Sequence, residues 1–591
     1  MTARTLTCAL LLALAVAAGA LAAEQTAPET APPPEASPEQ ASPPQPTPPG
    51  PEVQTGAQTQ LQPQPEVKVT PSKSEGPMLH GTLALSLEDA IKMGLENNLD
   101  VQVQRYDPLI AEMDEKIAWG AYDPTSYAEF GYSDHQTPNS SAIFGTLETV
   151  NRSTDGFTGL RGLLPWLGTQ YSAEFDSGRA TSNTAIEALS PKYTSGWTVS
   201  ITQPLLKNLI WNQPWTQVKT SKLLYEASQE NFRTAVMDTV RAIEDAYWNL
   251  ISAREEERVA EKSLETAKAL LDQTRTQFEV GVVSKVEVTE AEAGLSQREV
   301  TLIRARNAYR NQQDVLIDLV LGKGLRAAST LELDPSDNPV DIIAYEIELQ
   351  AAVQRAFENR PEIQAAQKEI QRQEVQLAFA KNQRLPGLDG IFSYGQSGLS
   401  GHQAPGFNSC RFVDPTDPNA PPGCQVTPQV PPDVTQGNYG NNFKDYDNAP
   451  SYVARARFSI PIPNTAASRT VDRTEFELSR AETRLRRLEQ SIILDVRNAA
   501  RNLLASQEGI VAAQDARRAA DEQLRAERIR LEYGESTPFD VLQREEQLVD
   551  RETELIGAYR AYHLSVTGLD RAQGTILRNR NIAISDVAPL R

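Results

Sequence analysis

The side chains that most often perform chemistry are few and far apart in this sequence. It has four histidines and three cysteines: His80, His135, His402, His563, Cys8, Cys410 and Cys424. Their spacing does not resemble that of a zinc site or of a cysteine–histidine nucleophile pair. The sequence also has no phosphate-binding loop of the form Gly-x-x-x-x-Gly-Lys-Ser/Thr. We therefore expect no enzyme activity, no metal and no cofactor.

The charge balance excludes a further class of function. The 591 residues include 57 Lys and Arg against 78 Asp and Glu, which gives a formal net charge of -21. A protein that binds nucleic acid needs a basic surface to neutralise phosphates, so we expect no nucleic-acid partner. Aromatic residues make up only 6% of the chain. With long stretches rich in Ala, Gln, Glu and Arg, this composition favours long amphipathic helices over several compact cores.

The beginning of the chain has the pattern of an export signal. Arg4 precedes an apolar run from Cys8 to about Ala18, and Ala20-Leu21-Ala22 has the form of a cleavage site. This run is shorter than the roughly 20 apolar residues that a transmembrane helix needs. We predict a cleaved signal peptide at 1–23, with an uncleaved anchor as the alternative. Cys8 stands at the start of the apolar run instead of closing it, which is the wrong place for a lipid-bearing cysteine.

The segment 24–78 has a composition that disfavours folding. It contains fifteen of the 39 prolines, among Ala, Gln, Glu, Ser and Thr. Such a segment buries too little apolar surface to offset the loss of chain entropy, so we predict a Pro-rich disordered linker. It is either a plain tether or a spacer through a layer of the cell envelope.

Export also bears on the two cysteines of the mature chain. Cys410 and Cys424 lie in a loop rich in Asn, Pro and Gly. Disulfides persist outside the cytosol. We predict a disulfide between these two residues that closes a small loop, with free thiols as the alternative.

The remainder of the chain contains an internal repeat. Leu87–Val101 aligns with Leu349–Ile363, and Phe278–Glu292 aligns with Leu531–Glu545. The two offsets, 262 and 253 residues, are close enough to indicate one duplicated unit. The predicted organisation is a first repeat at 79–335, a second repeat at 336–577 and a C-terminal tail at 578–591.

Each repeat begins and ends with predicted helices. The first starts at a capping box, Ser86-Leu-Glu-Asp89, and is expected to run to about Gly120. Apolar residues then recur in alternating steps of four and three, which is the periodicity of a coiled coil. The further predicted helices are 214–280 and 284–321 in the first repeat, and 345–381, 466–533 and 538–573 in the second. The longest would extend about 100 Å, so they must pack side by side.

The segments between these helices alternate apolar and polar residues, as strands do. The predicted strands lie within about 125–203 and 388–461, at 125–134, 156–164, 169–177, 195–203, 388–396 and 451–461. The segments 134–154, 178–195 and 395–450 are long and polar, whereas the joints to the helices are short. This asymmetry favours an outer-membrane barrel over a soluble sandwich. Four strands per chain, or six if the hairpin at 156–177 is counted, are too few to close a barrel, so several copies must share one barrel.

The repeat and its motifs resemble the TolC-type outer-membrane efflux protein family. The resemblance covers about Leu85 to Leu577 and rests on four features: the tandem repeat, the Ala-x-x-x-x-x-Glu-Asn helix starts, Gln203-Pro204 at a strand end, and the paired Gly-x-x-Ser/Thr-x-x-Glu/Asp turns. It implies a mainly α protein with membrane β: a tandem-repeat, long α-helical coiled-coil barrel plus a transmembrane β-barrel shared between three chains. The family has four strands per chain, and the predicted hairpin at 156–177 departs from that pattern.

The paired turns are the most informative local motif. A left-handed glycine followed by a helix N-cap and a capping-box acid explains each turn structurally. The resemblance implies that the turns form the periplasmic tip of the tunnel, where an adaptor protein docks: Gly281, Ser284, Glu287, Gly534, Thr537 and Asp540. It also implies an acidic ring at the entrance, for which Glu287, Glu290 and Asp540 are candidates. Gln543 occupies the next position of that ring, and a solvated acidic tip is the alternative.

The predicted function is a passive exit duct in the outer membrane, with a large periplasmic part. The implied partners are two further copies of the chain, a periplasmic adaptor, an inner-membrane pump and outer-membrane lipid. Arg455 and Arg457 point away from the apolar strand face and would line the lumen. The alternatives are the outer-membrane component of type I protein secretion, and a structural coiled-coil protein that spans the envelope and transports nothing.

Overall fold

The computed structural model describes the two repeats with gaps in their loops. The described residues are 80–140, 146–184, 187, 189–322, 330–343, 346–404, 410–411, 425–426 and 450–583. They belong to the unit Ser74–Arg591. The predicted signal peptide at 1–23, the whole of the predicted linker at 24–78, and the end of the tail from 584 onward lie outside them.

The first repeat places four strands between two sets of helices. Its elements are β1 (His80–Leu85), α1 (Leu87–Asn97), α2 (Leu99–Trp119), β2 (Thr125–Pro138), β3 (Glu148–Leu163), β4 (Gln170–Ser182), β5 (Leu189–Pro204), α3 (Gln213–Glu279), α4 (Lys285–Leu321) and β6 (Thr330–Pro335). A 3-10 turn at Gly120–Tyr122 follows α2. The long helix α3 starts where the Asn212 side chain accepts a hydrogen bond from the backbone of Trp215. Pro214 fits the first turn because its missing N–H is not needed there.

The second repeat follows the same plan with fewer strands. Its elements are α5 (Leu349–Asn359), α6 (Pro361–Gln383), β7 (Gly387–Gln403), β8 (Cys410–Arg411), β9 (Gln425–Val426), β10 (Pro450–Ser459), α7 (Thr465–Glu532), α8 (Pro538–Ala572) and α9 (Ile576–Asn579). The helix α3 has 67 residues and α7 has 68. Each is therefore about 100 Å long.

Two helices that the sequence predicted as continuous are broken. The first was expected to run to about Gly120, but Asn98 leaves the helical conformation between α1 and α2 and caps the backbone N–H of Val101. Its side-chain amide also donates to the carbonyl of Leu319, 3.1 Å away. The predicted helix 345–381 is divided at Arg360, which precedes Pro361. A proline disfavours the helical conformation of the residue before it.

Six strands form one antiparallel sheet in the order β10-β7-β5-β4-β3-β2. The hairpin predicted at 156–177 is therefore present as β3 and β4, inserted between β2 and β5. The strands are longer than predicted, since β2 continues to Pro138 and β3 already begins at Glu148. The loop expected at 134–154 is correspondingly shorter, because the strand pairing continues beyond the segment with clear apolar alternation.

The two faces of this sheet differ in polarity along all six strands. Directly paired residues share a face, and one such row joins Tyr452, Tyr394, Val199, Ala173 and Leu160. We call this side the apolar face. Several of its large side chains are exposed: Phe130, Tyr132, Leu160, Val199, Ile201, Phe392, Tyr452 and Phe458. The opposite, polar face carries mostly charged residues, Ser, Thr and Gly. An exposed apolar surface of this kind indicates contact with lipid or protein.

The chain builds its main core where the short elements meet the long helices. The parallel strands β1 and β6 pair from His80↔Thr330 to Leu85↔Pro335. They lie in a cluster whose fully or nearly fully buried members include Leu85, Ile91, Ile243, Tyr247, Leu250, Leu316, Leu333 and Ile576. Burying each such aliphatic side chain stabilises the fold by about 1.5–3 kcal/mol. This cluster therefore fixes the long helix α3 near its middle, against the C-terminal end of α4.

An ion network joins the start of α6 to the end of α8. The Arg571 guanidinium lies 2.6 Å from Asp238 and 2.9 Å from Glu362, and Arg360 lies 3.2 Å from Glu362 and 3.3 Å from Asp495. Burial alone would raise the pKa of Glu362, but Arg571 and Arg360 outweigh it and lower that pKa. The network therefore holds four helices together at one level.

Within the described residues, no helix has an apolar stretch long enough to cross a membrane.

Candidate functional site

The turn between α3 and α4 ends the first helical hairpin at a glycine. Gly281 has a φ of 81°. Its N–H donates to the carbonyl of Phe278, and the N–H of Val282 reaches back to the carbonyl of Gln277. This paired bonding is the Schellman motif, which requires the left-handed conformation that glycine adopts without steric cost.

The turn between α7 and α8 repeats that geometry. Gly534 has a φ of 72°, its N–H donates to the carbonyl of Leu531, and the N–H of Glu535 donates to the carbonyl of Arg530. A Cβ added at Gly281 or at Gly534 would meet nothing within 4 Å. Both glycines are therefore needed for backbone conformation and not for space.

The caps that follow the two glycines differ. Thr537 and Asp540 form a complete capping box, with the Thr537 Oγ1 accepting from the N–H of Asp540 and the Asp540 carboxylate accepting from the N–H of Thr537. Ser284 has N-cap backbone angles, but its side chain accepts no backbone hydrogen bond. Its hydroxyl donates to Glu287 Oε1 at 3.3 Å instead. The capping box predicted for the first turn is therefore wrong in this structure, because the serine hydroxyl is directed to the carboxylate.

The candidate acidic residues of the entrance lie at the tips, where Glu290 is exposed and Glu287 and Asp540 are half-buried. Glu287 and Glu290 are in the first two turns of α4, and Asp540 is in the first turn of α8. The hydrogen bonds from Thr537 lower the pKa of Asp540 below its ordinary value. Asp540 therefore stays ionised to lower pH than a free carboxylate.

Exposed apolar residues surround these acids, and the sequence reasoning missed them. Val280, Val282 and Val286 are 71%, 72% and 65% exposed, and Tyr533 and Phe539 are 80% and 54% exposed. We call these five residues the apolar tip residues. The signal was available in the sequence, since valines surround Gly281 and aromatics lie near Gly534. Apolar groups mixed with acids at an exposed tip suit a protein partner.

The two hairpins contact each other just behind the tips. Arg298 of α4 lies 3.9 Å from Glu546 of α8, and a Cβ added at Gly294 would meet Leu542 at 3.0 Å. Glu545, only 4% exposed, is buried in this contact and lies 4.0 Å from Arg528. Burial raises the pKa of Glu545 despite the nearby Arg528 and Arg298. The helices α4 and α8 are therefore neighbours. The candidate acidic residues of the first turn, on α4, and of the second turn, on α8, lie at the same end of this helix pair.

Arg455 and Arg457 lie on the polar face of the sheet, as expected from the alternation. They pair with Ile391 and Asp389 of β7. On the same face, the hydroxyl of Tyr127 donates to Glu174 at 2.8 Å across the inserted hairpin. The polar face therefore carries both basic and acidic groups, with Arg455 and Arg457 on the last strand and Arg161 on β3.

The predicted disulfide cannot be placed, since Cys424 and the side chain of Cys410 lie outside the described residues. Among the side chains that are described, no group of three or more His, Cys, Asp or Glu could hold a metal ion.

An amphipathic antiparallel sheet joined to two helical hairpins of about 100 Å defines an envelope protein of the outer-membrane channel class. The chain belongs to the outer membrane efflux protein family, whose model matches residues 161–320 and 352–575. It is 22% identical over 426 residues to the outer membrane protein TolC of Escherichia coli strain K12, which covers 72% of this chain and 77% of that protein. The resemblance and the outer-membrane location inferred from the sequence are confirmed.

Solved channels share the fold. The outer membrane channel CmeC of Campylobacter jejuni matches with a TM-score of 0.58 at 15% identity, covering 85% of this chain and 90% of that chain. The outer membrane protein VceC of Vibrio cholerae matches with a TM-score of 0.55 at 14% identity, covering 83% of this chain and 96% of that chain. At these identities the likeness concerns the fold, a helical barrel with a β-barrel.

Proposed function

We propose that three copies of this chain form a passive exit duct for an efflux or export system. The observation that supports this most is the sheet, whose apolar face is exposed and whose polar face is continuous over six strands. A lipid bilayer on one side and a water-filled lumen on the other would satisfy both faces. The long hairpins would then continue the lumen through the periplasm.

The duct carries no energy source of its own in this proposal. An inner-membrane pump drives the cargo, and a periplasmic adaptor joins the pump to the duct. The chain is thus a channel and not an enzyme. The adaptor docks on the two turns described above, with the apolar tip residues giving contact area and Gly281 and Gly534 giving the turn shape.

The charged groups have separate roles in this proposal. Glu287, Glu290 and Asp540 form a negative entrance, because carboxylates at a narrow opening attract cations and repel anions. Arg455 and Arg457 line the outer part of the lumen, where they favour anionic cargo. Both effects weaken at high salt, since the Debye length falls from about 10 Å at 0.1 M to about 3 Å at 1 M.

The experiment is conductance in planar lipid bilayers with the purified mature protein. We expect discrete single-channel steps and a cation preference that falls when Glu287, Glu290 and Asp540 are all replaced by their amides. Replacement of Arg455 and Arg457 by Gln is the matched change at the other end of the lumen. A protein that inserts as trimers but gives no conductance would be a structural spacer, and the duct would be rejected.

The genes adjacent to this one distinguish the two transport alternatives. An adjacent proton-driven pump would favour efflux of small molecules, whereas an adjacent ATP-driven exporter would favour protein secretion. Deleting the gene for this chain then tests the assignment. Export of small molecules should fall if the neighbour is a proton-driven pump, and protein secretion should fall if it is an ATP-driven exporter.

A further inference from the structure

The two outer strands of the six-stranded sheet have no partner along one edge within the described chain. These strands are β2 and β10. Nearly every side chain on them is exposed, with Tyr127 and Gly131 of β2 and Val453 of β10 as the partly covered exceptions. An unpaired edge is a template for another strand. Because neighbouring strands alternate in direction and the sheet has an even number of them, β10 of one copy and β2 of another would meet antiparallel.

The inserted hairpin belongs to the wall of the sheet and is not an appendage. Leu160 of β3 and Phe175 of β4 lie on the apolar face, while Asp155 of β3 and Glu174 of β4 lie on the polar face. This is the same polarity as in β5 and β7. A hairpin folded into the lumen or out over the membrane would not need to continue both faces.

The pairing across the sheet gives the offset between its two edges. One row of directly paired residues runs from Thr125 on β2 to Val453 on β10. The helix-proximal ends of these strands are Thr125 and Ser459, so the row climbs six residues over six strands. Six strands are separated by five spacings of about 4.8 Å, and the residues rise about 3.3 Å each, so this offset corresponds to a tilt of about 40°. Transmembrane barrels have tilts of about 35–45°.

Direct pairing of the two helix-proximal strand ends brings opposite charges together. When Thr125 of one copy pairs with Ser459 of the next, counting along antiparallel strands places Glu129 opposite Arg455. Both side chains lie on the polar face and are exposed. Neither has an ion-pair partner among the described residues. Opposite charges facing each other on neighbouring strands stabilise the pairing by about 0.2–1 kcal/mol.

We propose that β2 of one copy pairs with β10 of the next, with Glu129 opposite Arg455, so that three copies close a barrel of 18 strands. This rests on the proposed function, in which three copies share one barrel. The circumference of a barrel grows with its strand number. Six strands per chain would therefore give a mouth about 1.5 times as wide as four strands per chain.

Disulfide trapping tests this seam. Glu129→Cys and Arg455→Cys are combined in a chain that also carries Cys410→Ser and Cys424→Ser, and membranes are oxidised with copper phenanthroline. Facing residues on neighbouring strands are about 4.5–5.5 Å apart, within the range of a disulfide. We expect most of the protein to run as a reducible covalent trimer on denaturing gels. Glu129→Cys with Ser451→Cys, on the same face but four residues away, is the control and should stay monomeric.

Charge reversal and direct imaging complete the test. Glu129→Arg should reduce the fraction of trimers that resist detergent several-fold, and adding Arg455→Glu should restore it. An electron cryomicroscopy reconstruction of the trimer should show 18 strands. A covalent trimer only from the control pair, or a barrel of 12 strands, would overturn the seam. Conducting trimers with no cross-link at Glu129 and Arg455 would reject the seam and keep the duct, whereas wild-type protein without conductance would reject the duct.

Discussion

The two repeats bury the same face of their long helices but fill it differently. The offset of 253 residues matches Ile243 with Val496 and Leu250 with Leu503, and all four side chains have no exposed surface. Between them, Tyr247 of the first repeat matches Ala500 of the second. The two repeats thus bury the same helix positions, but the side chain at the central position is large in the first repeat and small in the second.

The larger residue of the first repeat, Tyr247, holds the β1–β6 strand pair against the helices. The Tyr247 hydroxyl lies 2.9 Å from the carbonyl oxygen of Leu85 in β1 and 2.5 Å from the Asp337 carboxylate. Burial and Asp337 raise the pKa of Tyr247, so the hydroxyl keeps its proton. Ala500 has no such reach, and the second repeat lacks a strand pair at this level among the described residues. The comparison shows that the same buried helix face can pack with an additional strand pair, as in the first repeat, or without one, as in the described part of the second.

The largest effect is predicted for a substitution that removes the difference between Tyr247 and Ala500. Tyr247→Ala would make the first repeat resemble the second and leave a cavity, which we expect to destabilise the protein by about 3–5 kcal/mol. Tyr247→Phe, which keeps the ring, should cost about 1 kcal/mol. Thermal unfolding of the purified protein measures both. Equal losses for the two variants would mean that the hydroxyl, and not the volume, holds the strand pair.

The second prediction concerns the glycines that the two repeats share. Gly281→Val and Gly534→Val force a β-branched residue into left-handed backbone, at a cost of about 1–3 kcal/mol each. We expect the double variant to abolish export while trimers persist in the membrane. Gly509→Ala is the matched control, since that glycine is in α7 and a Cβ there meets nothing within 4 Å. Normal export by the double variant would contradict the docking role and leave the fold unaffected.

The third prediction uses the difference between the caps. Thr537→Ala removes a complete capping box and should cost about 1 kcal/mol. Ser284→Ala removes no bond to the backbone and should change stability by less than about 0.5 kcal/mol. Hydrogen exchange at the first turns of α8 and α4 measures this locally. Equal protection losses at the two helices would show that Ser284 caps α4 in solution.

The smallest predicted effect depends on pH. Glu545 is buried, whereas the matching Glu292 of the first repeat is exposed and lies 2.7 Å from Arg275. Burial raises the pKa of Glu545 above 4.5, so the folded state binds its proton more tightly than the unfolded state does. This contribution to stability is present at low pH and is lost as pH rises through the raised pKa. Glu545→Gln should remove that part of the pH dependence of thermal unfolding, and Glu292→Gln should leave it unchanged.

Much of the fold follows from local periodicity. The step of three and four residues specifies helices, and alternation specifies strands, because each places apolar side chains on one side of a regular element. The left-handed glycines at Gly281 and Gly534 could also be predicted, since few other residues end a helix in that way. These features depend only on residues close in sequence.

The features that the sequence did not predict depend on distant partners. Asn98 breaks its helix with help from the carbonyl of Leu319, 221 residues later. The parallel strands β1 and β6 are six residues each, too short for a clear alternation. The hydroxyl of Ser284 can either accept a hydrogen bond from the backbone, as an N-cap does, or donate one to the Glu287 carboxylate. The sequence alone does not select between these two bonds. By contrast, the break at Arg360 had a local signal in Pro361, which was overlooked.

The parallel pair of β1 and β6 also bears on how the protein folds. His80 pairs with Thr330, so 250 further residues must be synthesised before the partner strand of β1 is available. Contacts of such long sequence separation form slowly, because the intervening chain must first be ordered. The docking of β1 is therefore a late event that reports completion of the first half of the molecule. Until then, a protease or chaperone would find the start of the ordered chain open.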